Sequence, residues 1–185
     1  TLAKAESVAG NNSFVLFQTG SIYYRNKDWK YVSYFDRLFD TINKKNPDAV
    51  KPYIRAFSIL MHAHYDKNNY SRSLAVSETI NEFKKDYDAL IISARSNYYL
   101  SNNDRAIEIF ESISLNNEDR LLLGSAYAKR GDKEKASAIL KNLLYNTDLK
   151  DKALKDRYLR PIVESIEAEK TAPDPPAQGR EEATL

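Results

Sequence analysis

The chain has no cysteine among its 185 residues, which excludes disulfides, thiolate metal sites and cysteine nucleophiles and fits a reducing or an oxidising compartment equally. Histidine is nearly as scarce. Its two copies, His62 and His64, stand two apart and so face different sides of a helix, whereas zinc-holding helical pairs are spaced by about four; His64 reads as a core residue. Glycine occurs five times and never as a phosphate-cradling loop, and no serine elbow or paired-histidine motif is present. Nor does charge of one sign prevail: 28 basic and 26 acidic side chains leave a net charge of +2, too little for a long-range field holding nucleic acid or an anionic membrane. No apolar run of about 18 residues and no charged-then-apolar leader exists, so the chain reads as soluble, with no direct membrane insertion. Carboxylate groups such as Glu108/Glu111 and Asp86/Asp88 lie among lysines and read as solvated helix faces. With no convergent reactive groups, the expectation is no enzyme, no catalytic residue, no cofactor and no metal.

What is present is helical periodicity, from Ser13 to Lys170. Apolar residues return every three or four positions: Leu90, Ile91, Ala94, Tyr98 form one stripe and Ala106, Ile109, Phe110, Ile113 another. Between stripes, Asn26-Lys27-Asp28, Asn68-Asn69, Ser101-Asn102-Asn103-Asp104 and Gly131-Asp132 carry residues that cap helices and tolerate left-handed backbone. Paired helices with short turns follow, and no strand is needed. Thirteen tyrosines add rings with a polar tip, suited to half-wet surfaces.

The stretch Leu121 to Leu143 is the most informative. Leu123, Gly124 and Tyr127 suit a first helix, Gly131-Asp132 a turn, and Ala136, Leu140 and Leu143 a second helix; this resembles a tetratricopeptide repeat, in which two helices meet at Gly or Ala. Weaker copies lie upstream, at Gly20, Tyr23, Trp29, Val32 and Phe39, with Pro47 following; at Leu60, Met61, His64, Tyr70 and Ser73; and at Ala94 with Ala106, Ile107, Ile109, Phe110 and Ile113. The close-contact positions 20, 61, 94 and 124 are 41, 33 and 30 residues apart, against about 34 in a regular array, so two connections are padded or trimmed.

The resemblance implies an all-α, right-handed α-solenoid of about four repeats, at 14–46, 53–86, 87–116 and 117–149, with a capping helix over 150–170 that covers the open end. Pro161 should kink or split that helix near Leu159-Arg160. Residues 1–12 read as a flexible lead-in. Residues 171–185, TAPDPPAQGREEATL, are too poor in apolar side chains to order; their lack of the Lys, Asn, Ile and Tyr that fill the body marks them as vector-encoded or a tag remnant, with a natural flexible tail as the other reading. Beginning at Thr1 rather than Met, the chain reads as a fragment or processed product, and an anchor or signal upstream would make it periplasmic rather than cytoplasmic.

By the same resemblance, first helices line a concave groove: Phe17, Ser21, Tyr24 and Arg25; Arg55, Ser58, His62 and Tyr65; Ile91, Arg95, Tyr98 and Tyr99; Leu121, Ser125 and Lys129. Tyr24, Tyr65 and Tyr98 share one position, with Arg25, Arg55, Arg95 and Lys129 near them, which suits an acidic peptide, helix or folded domain; the tyrosines equally suit packing against the next repeat. Arrays of this kind that clamp a carboxylate terminus place Lys or Arg where this chain has Phe17, Ser58, Ile91 and Leu121, so that clamp is missing. The expected function is therefore a protein-interaction adaptor, in a bacterial envelope assembly or secretion complex for example. A single-stranded nucleic-acid binder is the alternative, against which the near-zero charge weighs, and self-association of a structural subunit is a third.

Overall fold

The computed structural model describes residues 10 and 12–171, and every described element is a helix. Five antiparallel pairs follow one another: α1 (Ser13–Arg25) with α2 (Lys30–Thr41); then, after a four-residue helix α3 (Pro47–Val50) and a 3₁₀ turn (Lys51–Tyr53), α4 (Ile54–Asp66) with α5 (Tyr70–Phe83); α6 (Tyr87–Tyr99) with α7 (Asn103–Glu111); α8 (Asn117–Arg130) with α9 (Lys133–Lys141); and α10 (Thr147–Lys155) with α11 (Arg160–Thr171). The two helices of each pair pack together, consecutive helices pack from α4 through α9, α2 packs on α4 and α9 on α11, and α4, α6, α8 and α10 touch in succession, which makes a stack rather than a closed bundle.

Asparagine and aspartate start most of these helices. Asn12, Asn46, Asp86, Asn116, Asp132 and Asn146 each accept a hydrogen bond from a first-turn amide, satisfying donors that the helix itself leaves open. Four of the turns are copies of one another. Lys27, Asn68, Ser101 and Gly131 have φ of 57, 58, 65 and 91°, and each stands seven residues after a close-contact position. The next amide reaches back five residues every time: Asp28 to Tyr23 (3.0 Å), Asn69 to His64, Asn102 to Asn97 and Asp132 to Tyr127 (2.9 Å each). This left-handed helix stop turns the chain sharply enough for two helices to pack side by side. The widest spacing has a physical source too, since α3 and the 3₁₀ turn are inserted between the first two pairs; Asn46 caps α3, and Pro47, which lacks an amide proton, sits in its first turn.

Close contact is tightest at Gly20, where a Cβ would stand 2.5 Å from the ring of buried Phe35, and looser at Gly124, where it would meet Ile139 at 3.5 Å. In the second pair Met61 fills the contact position, and Ser73 opposite donates to the Met61 carbonyl (3.0 Å). That bond removes the cost of burying a hydroxyl where the family pattern has alanine.

The apolar interior falls into two clusters that divide within α6. Leu16, Phe35, Leu38, Phe57, Leu60 and Ile80 belong to the first, which reaches Ala89 and Ile92; Ala94 and Tyr98 open the second, which runs through Phe110, Leu123, Leu140 and Leu159 to Ile166. Around the division α6 buries Ser93, Ser96 and Asn97. Asn97 donates to the Ser93 carbonyl (3.0 Å), while Ser96 Oγ has no partner among the described residues.

Three expectations need correction. Trp29, read as a packing residue, is 54% exposed; it precedes α2 by one residue and stacks on Tyr31 (5.7 Å) under the Lys67 ammonium (4.3 Å). The terminal segment is split in two, as Pro161 suggested, but it begins at Thr147 rather than Lys150. Its break lies at Asp156–Leu159, ahead of Pro161, where Asp156 Oδ1 accepts from the amides of Tyr158 (2.7 Å) and Leu159 (3.2 Å) and so holds the turn that leads into α11. Thr171, assigned to the tail, ends α11; the rest of the tail and most of the lead-in lie outside the described residues, although Asn12 is the cap of α1.

Candidate functional site

Two guanidinium groups border an apolar cleft of about 250 Å³ where α1 meets α4. Phe17, Ser21, Tyr24 and Arg25 enter from α1, Arg55 and Ile59 from α4, and Phe35 closes the floor. Phe17 is fixed edge-on to Tyr53 (5.3 Å) and Tyr24 edge-on to Tyr31 (5.2 Å). Arg25 Nε donates weakly to the Ser21 carbonyl (3.4 Å). Among the described residues no carboxylate pairs with Arg25 or Arg55, in contrast to Arg72, Arg95, Arg105 and Arg130.

The centre of the stack is already neutralised. Arg95 Nε and Nη2 donate to the two oxygens of Asp119 (2.6 and 3.0 Å), and Asp119 is completely buried; this two-pronged bond raises the Arg95 pKa. His62 Nε2 meets Asp88 at 2.6 Å. Ser58 Oγ turns inward to the Ile54 carbonyl (3.2 Å). Ile91 and Leu121 are buried and offer a partner no surface. Tyr98 and Ser125 are buried as well: Ser125 Oγ donates to Asp156 Oδ2 (2.7 Å), so the Tyr98 hydroxyl donates to Ser125 (2.9 Å). Lys129 lies over the Tyr98 ring at 3.6 Å. The shared tyrosine position thus resolves into three environments, with Tyr24 exposed, Tyr65 half-buried and Tyr98 buried.

Between pairs two and three stands a tyrosine cluster. Tyr70, the first residue of α5, stacks on Tyr99 at 4.5 Å and 14°, and Tyr65 meets Tyr70 edge-on at 5.6 Å. Burial, then the neighbouring Tyr99, raises the pKa of both Tyr65 and Tyr70. Sequence reasoning placed Tyr70 in the core and named neither Ile59 nor Phe35 for the groove. A signal for Tyr70 existed: Trp29 and Tyr70 both stand two residues after a left-handed residue, where the entering helix shows its side chain to the turn edge.

The tetratricopeptide repeat pattern matches residues 120–146, which span α8, the Gly131 turn and α9. The chain carries a tetratricopeptide repeat. The preceding pairs share its contact-to-turn spacing and its five-residue backbone bond, so the described residues form an all-helical stack consistent with repeats of this kind, which are generally protein-interaction modules. Comparison with curated proteins gives no match. Among the described residues of this tetratricopeptide stack there is no group of three metal-ligating side chains and no helix long and apolar enough to cross a membrane.

Proposed function

We propose that this protein is a non-enzymatic interaction scaffold that holds a partner protein along its concave side and anchors it in the α1–α4 cleft. One observation carries the reading: Arg25 and Arg55, without carboxylates of their own, border a small apolar cleft. At about 250 Å³ it falls below the roughly 300–1,000 Å³ of small-molecule sites and suits one apolar side chain with acidic neighbours. Rigid rings on either side favour such a peptide, since Tyr24 and Phe17 are held by other aromatics and lose little freedom on binding. Base stacking by single-stranded nucleic acid has less to use, because Trp29, Tyr70, Tyr98 and Tyr99 each have a ring face covered by another ring or by a cation.

The test is fluorescence anisotropy with a labelled peptide carrying one leucine between glutamates, against wild type, Arg25→Glu/Arg55→Glu and Tyr24→Ala, with folding checked by circular dichroism. Charge reversal should weaken binding by about tenfold or more, roughly 1.4 kcal/mol. Unchanged affinity in both variants would remove the cleft as the anchor.

A further inference from the structure

A second trough lies at the other end, on the connection between α10 and α11. Arg157 and Tyr158 stand between two clefts of about 430 and 480 Å³ and line both, so the clefts lie side by side with these two side chains as their common wall. Lys129 lines the first and Lys133 the second. Arg157 Nη2 donates to the Tyr158 hydroxyl (2.5 Å) with its guanidinium 4.5 Å from that ring, and Lys129 is 5.9 Å from the ring's centre on its way to Tyr98. Among the described residues none of these three cations has a carboxylate partner. Asp156, the one acid lining the two clefts, is engaged by neutral donors, Oδ1 accepting two backbone amides and Oδ2 the Ser125 hydroxyl, so its charge offsets one of the three cations and leaves the lining net positive.

We propose that this trough is a second, separate recognition site for an extended acidic segment of a partner protein. Three cations without an ion-pair partner among the described residues, spread over two adjoining clefts, favour a segment that carries several carboxylates. The ring faces that nucleic-acid bases would need are taken, since Lys129 covers Tyr98 and Arg157 covers Tyr158. A single side chain would fill only one of the two clefts. The site is distinct from the α1–α4 cleft because the basic side chains between them, Arg95 and His62, already meet Asp119 and Asp88. It therefore stands or falls independently of that cleft.

Labelled hexaglutamate, hexaglutamine and oligothymidine are the probes, measured by anisotropy at low salt. The variants are Arg157→Glu/Lys133→Glu, Arg25→Glu/Arg55→Glu, and Lys85→Glu as a charge control on an exposed connection elsewhere. The trough predicts hexaglutamate binding that falls by about tenfold or more in the Arg157/Lys133 variant, persists in the Arg25/Arg55 variant and is unmoved by Lys85→Glu. Hexaglutamate binding unaffected by Arg157→Glu/Lys133→Glu overturns the proposal, as does equal binding of hexaglutamine. Tighter, steeply salt-dependent binding of oligothymidine overturns the peptide assignment. Matching melting curves of variant and wild type exclude loss of fold as the cause.

Discussion

At the scale of single residues, the two close-contact glycines separate two effects that composition cannot. Gly20→Ala drives a Cβ to 2.5 Å from the Phe35 ring, which is buried and has no room to retreat; the melting temperature should fall, with a loss of about 1–3 kcal/mol. Gly124→Ala meets only ordinary contact at 3.5 Å and gains helix propensity, so it should be neutral or stabilising by up to about 1 kcal/mol. Equal loss at both sites would refute this assignment of tight and loose contacts. Arg95→Ala strands the buried Asp119 carboxylate, and denaturant unfolding should show a loss of about 3 kcal/mol, the low end for a broken buried pair because Arg95 keeps an edge in water. Tyr127 has its pKa raised from 10.0 to about 12 by burial and by its hydrogen bond to Glu111. Because the folded chain holds this proton more tightly, the stabilisation is complete below pH 10 and is lost as pH rises through about 12. Tyr127→Phe should flatten the fall of melting temperature across that window. The sequence made Gly20 and Gly124 visible as contact points, but which was tighter depended on the residue across the interface, Phe35 or Ile139, and no one-dimensional spacing states that.

Among the elements, the left-handed turns show how much local chemistry was readable. Their positions followed from clusters of Asn, Asp and Gly, and the structure puts each left-handed residue inside those clusters. Two of the four residues are poor choices for that conformation. Ser101→Gly and Lys27→Gly should each raise the melting temperature, by about 1 kcal/mol of stability, while Gly131→Ala should lower it by a similar amount. No change at Ser101 would mean that the serine is not strained there. Less readable was the end of the stack. Periodicity from Lys150 onward suggested a helix broken near Leu159-Arg160 by proline, whereas the break spans Asp156–Leu159 in a turn held by Asp156, and such a turn depends on which amides the carboxylate reaches.

For the molecule as a whole, fold class was legible because repeated helix pairs leave a repeated pattern of small and large residues. The groove was less so. Register assigned fifteen lining residues by analogy, yet Ile91, Leu121, Tyr98 and Ser125 are buried and Arg95 is paired. A stack of helix pairs presents its first helices to an open face and to the neighbouring pair at once, and the spacing that places a residue on that side does not say which of the two it meets. The same molecule has its apolar interior in two parts, joined where α6 buries Ser93, Ser96 and Asn97 instead of hydrocarbon. Repeat arrays unfold pair by pair when the coupling between neighbours is weak. The division of the core at this seam has a testable consequence: hydrogen exchange should show the part before Ile92 and the part after Ala94 opening with separate free energies, and a ligand that grips both ends of the stack would merge them into one cooperative unit.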